Sequence, residues 1–545
     1  MNNKLLALAV AAAVSAPAQS QPFPPEINLV DLYPGLGGDG SVGAAIRGPQ
    51  FGALLGNAVS PAGDLNGDGI DDFVAGAYNV SGVRDYSGAC YVIYGQPGGY
   101  PPLSNVQAVQ VDEANRGFAF LGIQEDSAVG SDVAGGRDFN GDGHPDLLIG
   151  AARRDADPGR AYLIFGPTDD FPGTVRASEL LPGGGGDGSD GVVFLGFQFA
   201  DDTGRAVEAA DVNGDGLDDI LIAAPRVDAP LDDNGAIYVV FGSNGPFDAV
   251  FSLSSLFAGA GGDGSEGFLV KGTRGGSSIG DGATDQGLAA GDFNGDGFDD
   301  FLVTDRGLQF EDGNAFVVFG KGGAFEAELS LTDLTPAGGG DGSAGFIITG
   351  TNPNSVGNGG DLNGDGVDDM VVANFRSGGL DDQRGEVFVI FGGPAMSAQF
   401  DLNSLRPQAG GDGTEGLVLT GEEIDDYAGF SVAAAGDVNG DGIGDLLIGA
   451  ERGEKAYLVF GRESGWPAEF SLGSLREVQG GDGSAGVVFD NFPLVVSSEG
   501  TGFAVSAAGD VNMDGIDDLL ITAREGDTAI GQNAGEVFVI YGRAE

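Results

Sequence analysis

The nonapeptide Asp-x-Asn-x-Asp-Gly-x-x-Asp recurs seven times, starting at Asp64, Asp138, Asp211, Asp292, Asp361, Asp437 and Asp510, at spacings of 74, 73, 81, 69, 76 and 73 residues. Self-similarity at a fixed period constrains a fold more than composition does, because each unit must bury its apolar face against its neighbours. The same four pieces surround every motif in the same order. A run of small residues precedes it, as in GFSVAAAGD (429–437) and GFAVSAAGD (502–510). A short apolar strand follows it, as in DLLIGAA (146–152), DILIAAP (219–225), DLLIGAE (445–451) and DLLITAR (518–524). Next comes an alternating strand ending in Gly, such as ACYVIYG (89–95), AIYVVFG (236–242), EVFVIFG (386–392) and EVFVIYG (536–542). After a linker comes a fourth run, such as GFAFLG (117–122), GVVFLG (191–196), GFIITG (345–350) and GLVLTG (416–421). The linker carries GGDGS or GGDGT six times, and Asp-Gly is a good tight-turn former.

Four short strands per unit, seven units and no helical periodicity predict an all-β chain: a seven-bladed β-propeller of four-stranded antiparallel blades. Strands crowd at the axis, so the Gly/Ala-rich run is the inner strand and the Val/Phe/Tyr runs lie further out. The last unit ends after EVFVIYG without a fourth strand, whereas GAAIRGP (43–49) precedes the first motif. The phasing therefore predicts that 43–48 pairs with 536–542, so that an N-terminal strand closes the ring. Residues 1–18 carry Lys4, an apolar run from Leu5 to Val14 and the small-x-small site Ala16-Pro17-Ala18, the layout of a cleaved signal peptide. Residues 19–25 read as a linker and 26–545 as the propeller. A secreted or cell-surface location is expected, with the periplasm as a further option, and no transmembrane anchor, since no other stretch approaches eighteen apolar residues.

Composition narrows the chemistry. With 82 acidic and 24 basic side chains the formal charge is −58, which repels phosphate backbones and excludes ordinary nucleic-acid binding. A single Cys (Cys90) excludes disulfides within the chain, zinc–thiolate sites and iron–sulfur clusters. A single His (His144) removes most His-based catalysis.

The motif places oxygen donors at loop positions 1, 3, 5 and 9, with the backbone carbonyl at 7 and Gly at 6 for the sharp turn. Hard oxygen ligands at this spacing suit Ca²⁺. The expected sets are Asp64, Asn66, Asp68, Ile70, Asp72; Asp138, Asn140, Asp142, His144, Asp146; Asp211, Asn213, Asp215, Leu217, Asp219; and Asp292, Asn294, Asp296, Phe298, Asp300. They continue with Asp361, Asn363, Asp365, Val367, Asp369; Asp437, Asn439, Asp441, Ile443, Asp445; and Asp510, Asn512, Asp514, Ile516, Asp518. An EF-hand would need Glu at position 12, but that position holds Ala75, Ile149, Ile222, Val303, Val372, Ile448 and Ile521, all apolar. Up to seven Ca²⁺ are expected, joining strands within each blade in place of the missing disulfides.

The Phe-Gly pair ahead of the inner strand, the Asp-rich loop and the Gly-Ala segment after it resemble the FG-GAP repeat of integrin α subunits, of secreted bacterial proteins and of a phospholipase D specific for glycosylphosphatidylinositol anchors. The resemblance runs over 26–542, and the Leu-rich linker with GGDGS is similar to a long bacterial variety of the repeat. It implies a seven-bladed propeller that binds calcium and acts as an extracellular binding or adhesion module. All seven loops are complete here, whereas integrin α subunits fill only some blades. The family's ligand-contact residues vary and carry no assignment.

Ten of the 20 arginines fall after the second strand of a blade: Arg84, Arg153, Arg154, Arg160, Arg226, Arg306, Arg376, Arg384, Arg452 and Arg524. Six of these (Arg153, Arg226, Arg306, Arg376, Arg452 and Arg524) recur just beyond the strand end, on the face opposite the calcium loops. Each is expected either to pair with a neighbouring Asp or to join a cationic face for an anionic ligand, an acidic glycan or a partner carboxylate. The expected function is non-catalytic, with an extracellular protein or acidic glycan as partner. Two alternatives remain: a secreted enzyme acting on polysaccharide or glycolipid, and a structural surface or matrix protein. Cys90 and Trp466 are expected to be packed residues, and His144 to contribute only its backbone carbonyl.

Overall fold

The computed structural model describes residues 22–544 except 82–83, 110–115, 153–157, 169–170, 229–233, 283–285, 307–312, 378–381, 395 and 492–498, together with 527–532. The 1–18 signal segment, Arg153 and Arg154 lie outside the described residues. Strands gather into seven small sheets, one per repeat, in the arrangement of a seven-bladed β-propeller. Blades I to VII are numbered here by their Asp-rich loops.

In blade I the inner strand Val59–Gly63 pairs antiparallel with Asp72–Ala77, that with Ala89–Ile93, and that with Gly117–Leu121. Blade II repeats the order with Val129–Arg137, Asp146–Ala151, Arg160–Ile164 and Gly191–Leu195. Blade VI does so with Ala428–Gly436, Asp445–Ala450, Lys455–Val459 and Gly486–Asp490. Blade VII has Thr501–Gly509, Asp518–Ala523 and Glu536–Ile540, and takes its fourth strand from the amino-terminal segment. Gly43–Arg47 pairs antiparallel with Glu536–Ile540, from Gly43↔Ile540 to Arg47↔Glu536, the pairing that the phasing predicts.

Four strands per blade is an undercount. The segment leading to each blade's fourth strand, in six cases just ahead of a GGDGS or GGDGT turn, forms a three-residue strand that pairs parallel with the fourth strand of the preceding blade. Thr174–Arg176 does this on blade I, Val250–Ser252 on blade II and Glu469–Ser471 on blade V. Glu26–Asn28 does so on blade VI and Leu103–Asn105 on blade VII. The linker leaves one blade, covers the exposed edge of the previous one and returns, so each connection ties two blades together. A short helical turn follows, and its two apolar residues, such as Leu253 and Leu256 or Leu472 and Leu475, are buried. Three residues are too few to show a period, which is why only the Leu pair is legible in the sequence.

The apolar core is split into seven clusters among the described residues, each lying between two adjacent blades. One holds Phe73 and Tyr91 of blade I with Val537 and Val539 of blade VII. The second strands are buried on both faces, as in Asp146–Ala151, so they read as continuous apolar runs. Blades approach closely beside the axis. A Cβ on Gly76 would meet the Gly130 carbonyl oxygen at 2.2 Å, and one on Gly449 the Gly502 oxygen at 2.1 Å. The Gly of the post-loop segment is thus required by backbone-to-backbone contact with the next blade. Blade IV departs from the pattern, because its inner strand is broken into Ser278–Ile279 and Leu288–Gly291. The intervening residues account for the 81-residue spacing.

Candidate metal centres and the opposite face

Each Asp-rich loop joins an inner strand to the second strand of its blade. In loop I, Asp64 accepts hydrogen bonds from the amides of Asp68 (2.8 Å) and Gly69 (2.8 Å). Asn66 Oδ1 accepts from Asp68 N–H (2.9 Å), and Asp68 Oδ1 from Ile70 N–H (3.1 Å). Asp72 begins the second strand and accepts from the amides of Leu65 (3.0 Å), Asn66 (3.2 Å) and Gly95 (2.8 Å). The last bond reaches the Gly that ends the third strand, so one carboxylate clamps three strand ends. Asp146 holds Gly166 in the same way at 3.1 Å, Asp219 holds Gly242 at 2.9 Å and Asp518 holds Gly542 at 2.9 Å. That terminal Gly is obligatory, since a Cβ on Gly95 would lie 2.3 Å from the Asp71 carbonyl oxygen.

The position-9 carboxylates are buried, and burial pushes each of them up to about 8: Asp72, Asp146, Asp219, Asp300, Asp369, Asp445 and Asp518. The carboxylates at positions 1 and 5 of the same loop push in the same direction. Among the described residues no Lys or Arg forms an ion pair with any of these loop ligands. The donor set is oxygen only and carries three negative charges per loop, the chemistry of a hard-cation site. The carboxylates rest on backbone amides, and no three His, Cys, Asp or Glu side chains among the described residues are gathered as a metal cluster. Each carboxylate oxygen that accepts one amide keeps a second lone pair. His144 occupies position 7 of loop II and donates its amide to Asp142 (2.9 Å).

Position 8 escaped the sequence reading. Asp71, Asp218, Asp299, Asp368 and Asp517 stand there in five loops, with Pro145 and Gly444 in the others. They link neighbouring loops. Asp218 Oδ2 accepts from Asp138 N–H (2.8 Å), Asp299 from Asp211 (3.0 Å), Asp517 from Asp437 (2.9 Å) and Asp71 from Asp510 (2.9 Å). The signal was present as an Asp-Asp pair closing the motif.

On the opposite face the arginines separate into two groups. Arg226 pairs with Asp202 (3.2 Å), Arg384 with Asp382 (2.8 Å), and Arg160 donates to Gln124 (3.1 Å). Arg306 is buried and donates to the Asp281 carbonyl (3.1 Å), while Arg84 is exposed. Arg376, Arg452 and Arg524 instead lie over aromatic rings, those of Phe375 (5.3 Å), Tyr427 (4.4 Å) and Phe503 (3.6 Å). The rings are contiguous: Phe375 is 5.0 Å from Tyr427 and 5.0 Å from Phe430, and Phe430 is 5.3 Å from Phe503. Blades V, VI and VII thus share one aromatic shelf carrying three guanidinium groups. Arg376 and Arg452 are exposed, and Arg524 also contacts Glu525 at 3.3 Å. The aromatic positions are far apart in the sequence and only the ring of blades assembles them. Trp466 is packed, with its indole N–H on the Arg462 carbonyl (3.1 Å), and Cys90 is a buried free thiol that burial holds above its usual range.

The FG-GAP repeat model matches residues 55–93, 129–164, 203–240, 428–459 and 501–540, which are blades I, II, III, VI and VII. Five of the seven blades thus carry the FG-GAP repeat, and the chain is similar to integrin α subunits. The broken inner strand of blade IV and the four-residue inner strand of blade V, Ser355–Asn358, lie outside the matched segments, so the match is narrower than 26–542. A human phosphatidylinositol-glycan-specific phospholipase D is 34% identical over 180 residues, 32% of this chain and 19% of that protein. Integrin alpha pat-2 of Caenorhabditis briggsae is 30% identical over 140 residues (25% and 10%), and integrin alpha-5 of Xenopus laevis 34% over 97 residues (18% and 8%). The chain therefore spans less than a fifth of the length of these relatives. No helix among the described residues is long and apolar enough to cross a membrane.

Proposed function

We propose that this FG-GAP propeller is a calcium-stapled extracellular binding module whose ligand docks on the face opposite the Asp-rich loops. The observation that carries this reading is the shelf of Arg376, Arg452 and Arg524 on Phe375, Tyr427 and Phe503. A guanidinium stacked on a ring face offers planar, cation–π-held N–H donors that match carboxylate or sulfate, so an acidic glycan or a partner carboxylate is the expected ligand. In each loop the residues at positions 1, 3, 5 and 9, with the carbonyl at 7, would hold one Ca²⁺. Its charge would neutralise the buried position-9 carboxylate and join three strand ends. Binding of acidic glycans and extracellular proteins, measured with calcium and with chelator, tests the reading. Arg376→Gln/Arg452→Gln/Arg524→Gln should abolish capture while sparing the calcium-dependent melting temperature. Equal loss of both would make the shelf a structural element.

A second reading rests on the similarity to a phosphatidylinositol-glycan-specific phospholipase D: a secreted enzyme acting on glycolipid or polysaccharide. Product release from such substrates by the purified chain would favour it over the binding module.

A further inference from the structure

The inner strands of all seven blades surround an axial cavity of about 300 Å³. Most of its wall is Ala, Val, Gly and Pro, including Pro61, Ala289, Ala434 and Ala507. Two carboxylates interrupt this lining: Asp132 of blade II, whose Oδ2 accepts the Val207 amide at 2.8 Å, and Glu208 on the inner strand of blade III (Val207–Ala210). The equivalent inward position three residues before each loop holds Pro61, Gly135, Ala289, Asn358, Ala434 and Ala507 in the other blades, so a carboxylate occurs there once. Glu208 is half-buried and opens onto the channel. Its Oε1 accepts the neighbouring Ala209 amide at 3.0 Å. Among the described residues its Oε2 receives no hydrogen bond and no Lys or Arg lies at ion-pair distance. Arg137 also lines the channel, but turns to Asp218 (3.5 Å) and Asp299 (3.7 Å). Burial pushes the Glu208 carboxyl up, with Arg137 opposing. Burial favours the neutral acid, and a ligand cation placed beside it in the channel would hold the carboxylate charged.

We propose that the axial channel binds a linear aliphatic amine, with Glu208 as the counter-ion of its ammonium group. The chemistry follows from the wall. Ca²⁺ takes six to eight oxygen ligands, whereas at the position equivalent to Glu208 the other six blades supply one further side-chain oxygen, that of Asn358. A primary ammonium needs one anion and two further acceptors, which channel water or the Asn358 amide oxygen provides, and its methylene chain lies against apolar surface. The volume falls at the small end of ligand pockets and suits a slender chain rather than a ring-bearing ligand. The net charge of −58 raises the local concentration of organic cations, so the experiment must separate channel binding from diffuse attraction.

The test is calorimetric titration of the full chain with 1,5-diaminopentane at physiological salt, with 1,5-pentanediol as the neutral control. One saturable site for the diamine and none for the diol is expected. Glu208→Gln keeps the volume and should weaken binding at least about tenfold without lowering the melting temperature. Ala434→Leu, which narrows the channel and leaves Glu208 in place, should also block it. Absence of saturable binding, or equal binding by wild type and Glu208→Gln, overturns the assignment. The channel is separate from the aromatic shelf, so loss of one activity leaves the other intact.

Discussion

Among the described residues Arg476 is the most heavily loaded cation, and replacing it with Met gives a quantitative test of how the blades are joined. It follows the fifth strand of blade V and contacts three other segments. Its Nη1 and Nη2 make a bidentate pair with Asp490 (2.6 and 2.8 Å), at the end of the fourth strand of blade VI. Its Nε meets Glu422 (2.6 Å), in the connection from blade V to blade VI, and Nη1 reaches Glu26 (3.4 Å) on the amino-terminal strand. Arg476 is 12% exposed, Asp490 7% and Glu422 9%, so solvent screens little of this attraction. Met preserves the volume of the stem and removes every donor. Lys455 still serves Glu422 at 3.3 Å, which leaves Asp490 as the main uncompensated charge. Breaking a buried pair from one side costs about 3–5 kcal/mol. With an unfolding entropy near 2.1 cal/mol/K per residue, a chain of this size should lose roughly 3–5 °C. Urea or thermal unfolding followed by fluorescence of Trp466, the single Trp, reads the change close to the perturbed junction. Adding Asp490→Asn should restore part of the loss, because the buried charge goes with it. A midpoint within about 1 °C of wild type, or a double variant worse than both singles combined, would refute the account.

Four further outcomes are expected. With Ca²⁺ near 1 mM and site constants of about 10⁻⁴–10⁻³ M, each loop adds about 0.4–1.4 kcal/mol and seven add about 3–10 kcal/mol, so chelator should lower the melting temperature and Ca²⁺ restore it. An unfolding curve that ignores Ca²⁺ would remove the metal from the proposal. Met513 sits at φ 63° in loop VII, where the other six loops have Gly at this position, so Met513→Gly should stabilise by about 0.5–1 kcal/mol in urea unfolding. Burial raises the Glu386 carboxyl, but the Arg406 pair (2.8 and 2.9 Å) and Ser377 outweigh it and hold the carboxyl below its ordinary value. A depressed folded pKa contributes stability above the unfolded value near 4.3 and loses it as pH falls, so Arg406→Gln should flatten the acid limb of a stability–pH profile below that value and change its plateau. Deleting residues 22–48 removes two strands, one each from blades VI and VII, and should lower the melting temperature by many degrees; an unchanged transition would show these pairings to be dispensable.

The blade number, the order of four strands and the Asp-rich loops were legible because each is local and repeated seven times. Gly, Asp and Asn at fixed offsets dictate the loop backbone without help from the rest of the chain. Cys90 and Trp466 were legible as packed residues because an alternating apolar strand buries what it carries. The fifth strands were not, since three residues carry no period and their partners belong to the preceding blade. The position-8 aspartates were visible as Asp-Asp pairs, but nothing local says that the second loop they serve lies one repeat away. Among the arginines, the sequence set out pairing and ligand binding as rivals. The structure places Arg226 and Arg384 in pairs and stacks Arg376, Arg452 and Arg524 on rings.

By itself, then, the sequence determined everything that one repeat decides: strand order, turn chemistry, the oxygen-donor loops and a strongly acidic charge. Tertiary structure alone decided what needs a ring. Phe375, Tyr427, Phe430 and Phe503 become one surface, and Glu208 comes to face an axial channel, only when blades that are separate in the chain are brought side by side around an axis. Local propensity acts within a few residues, whereas these contacts are made by burying one blade's face on the next.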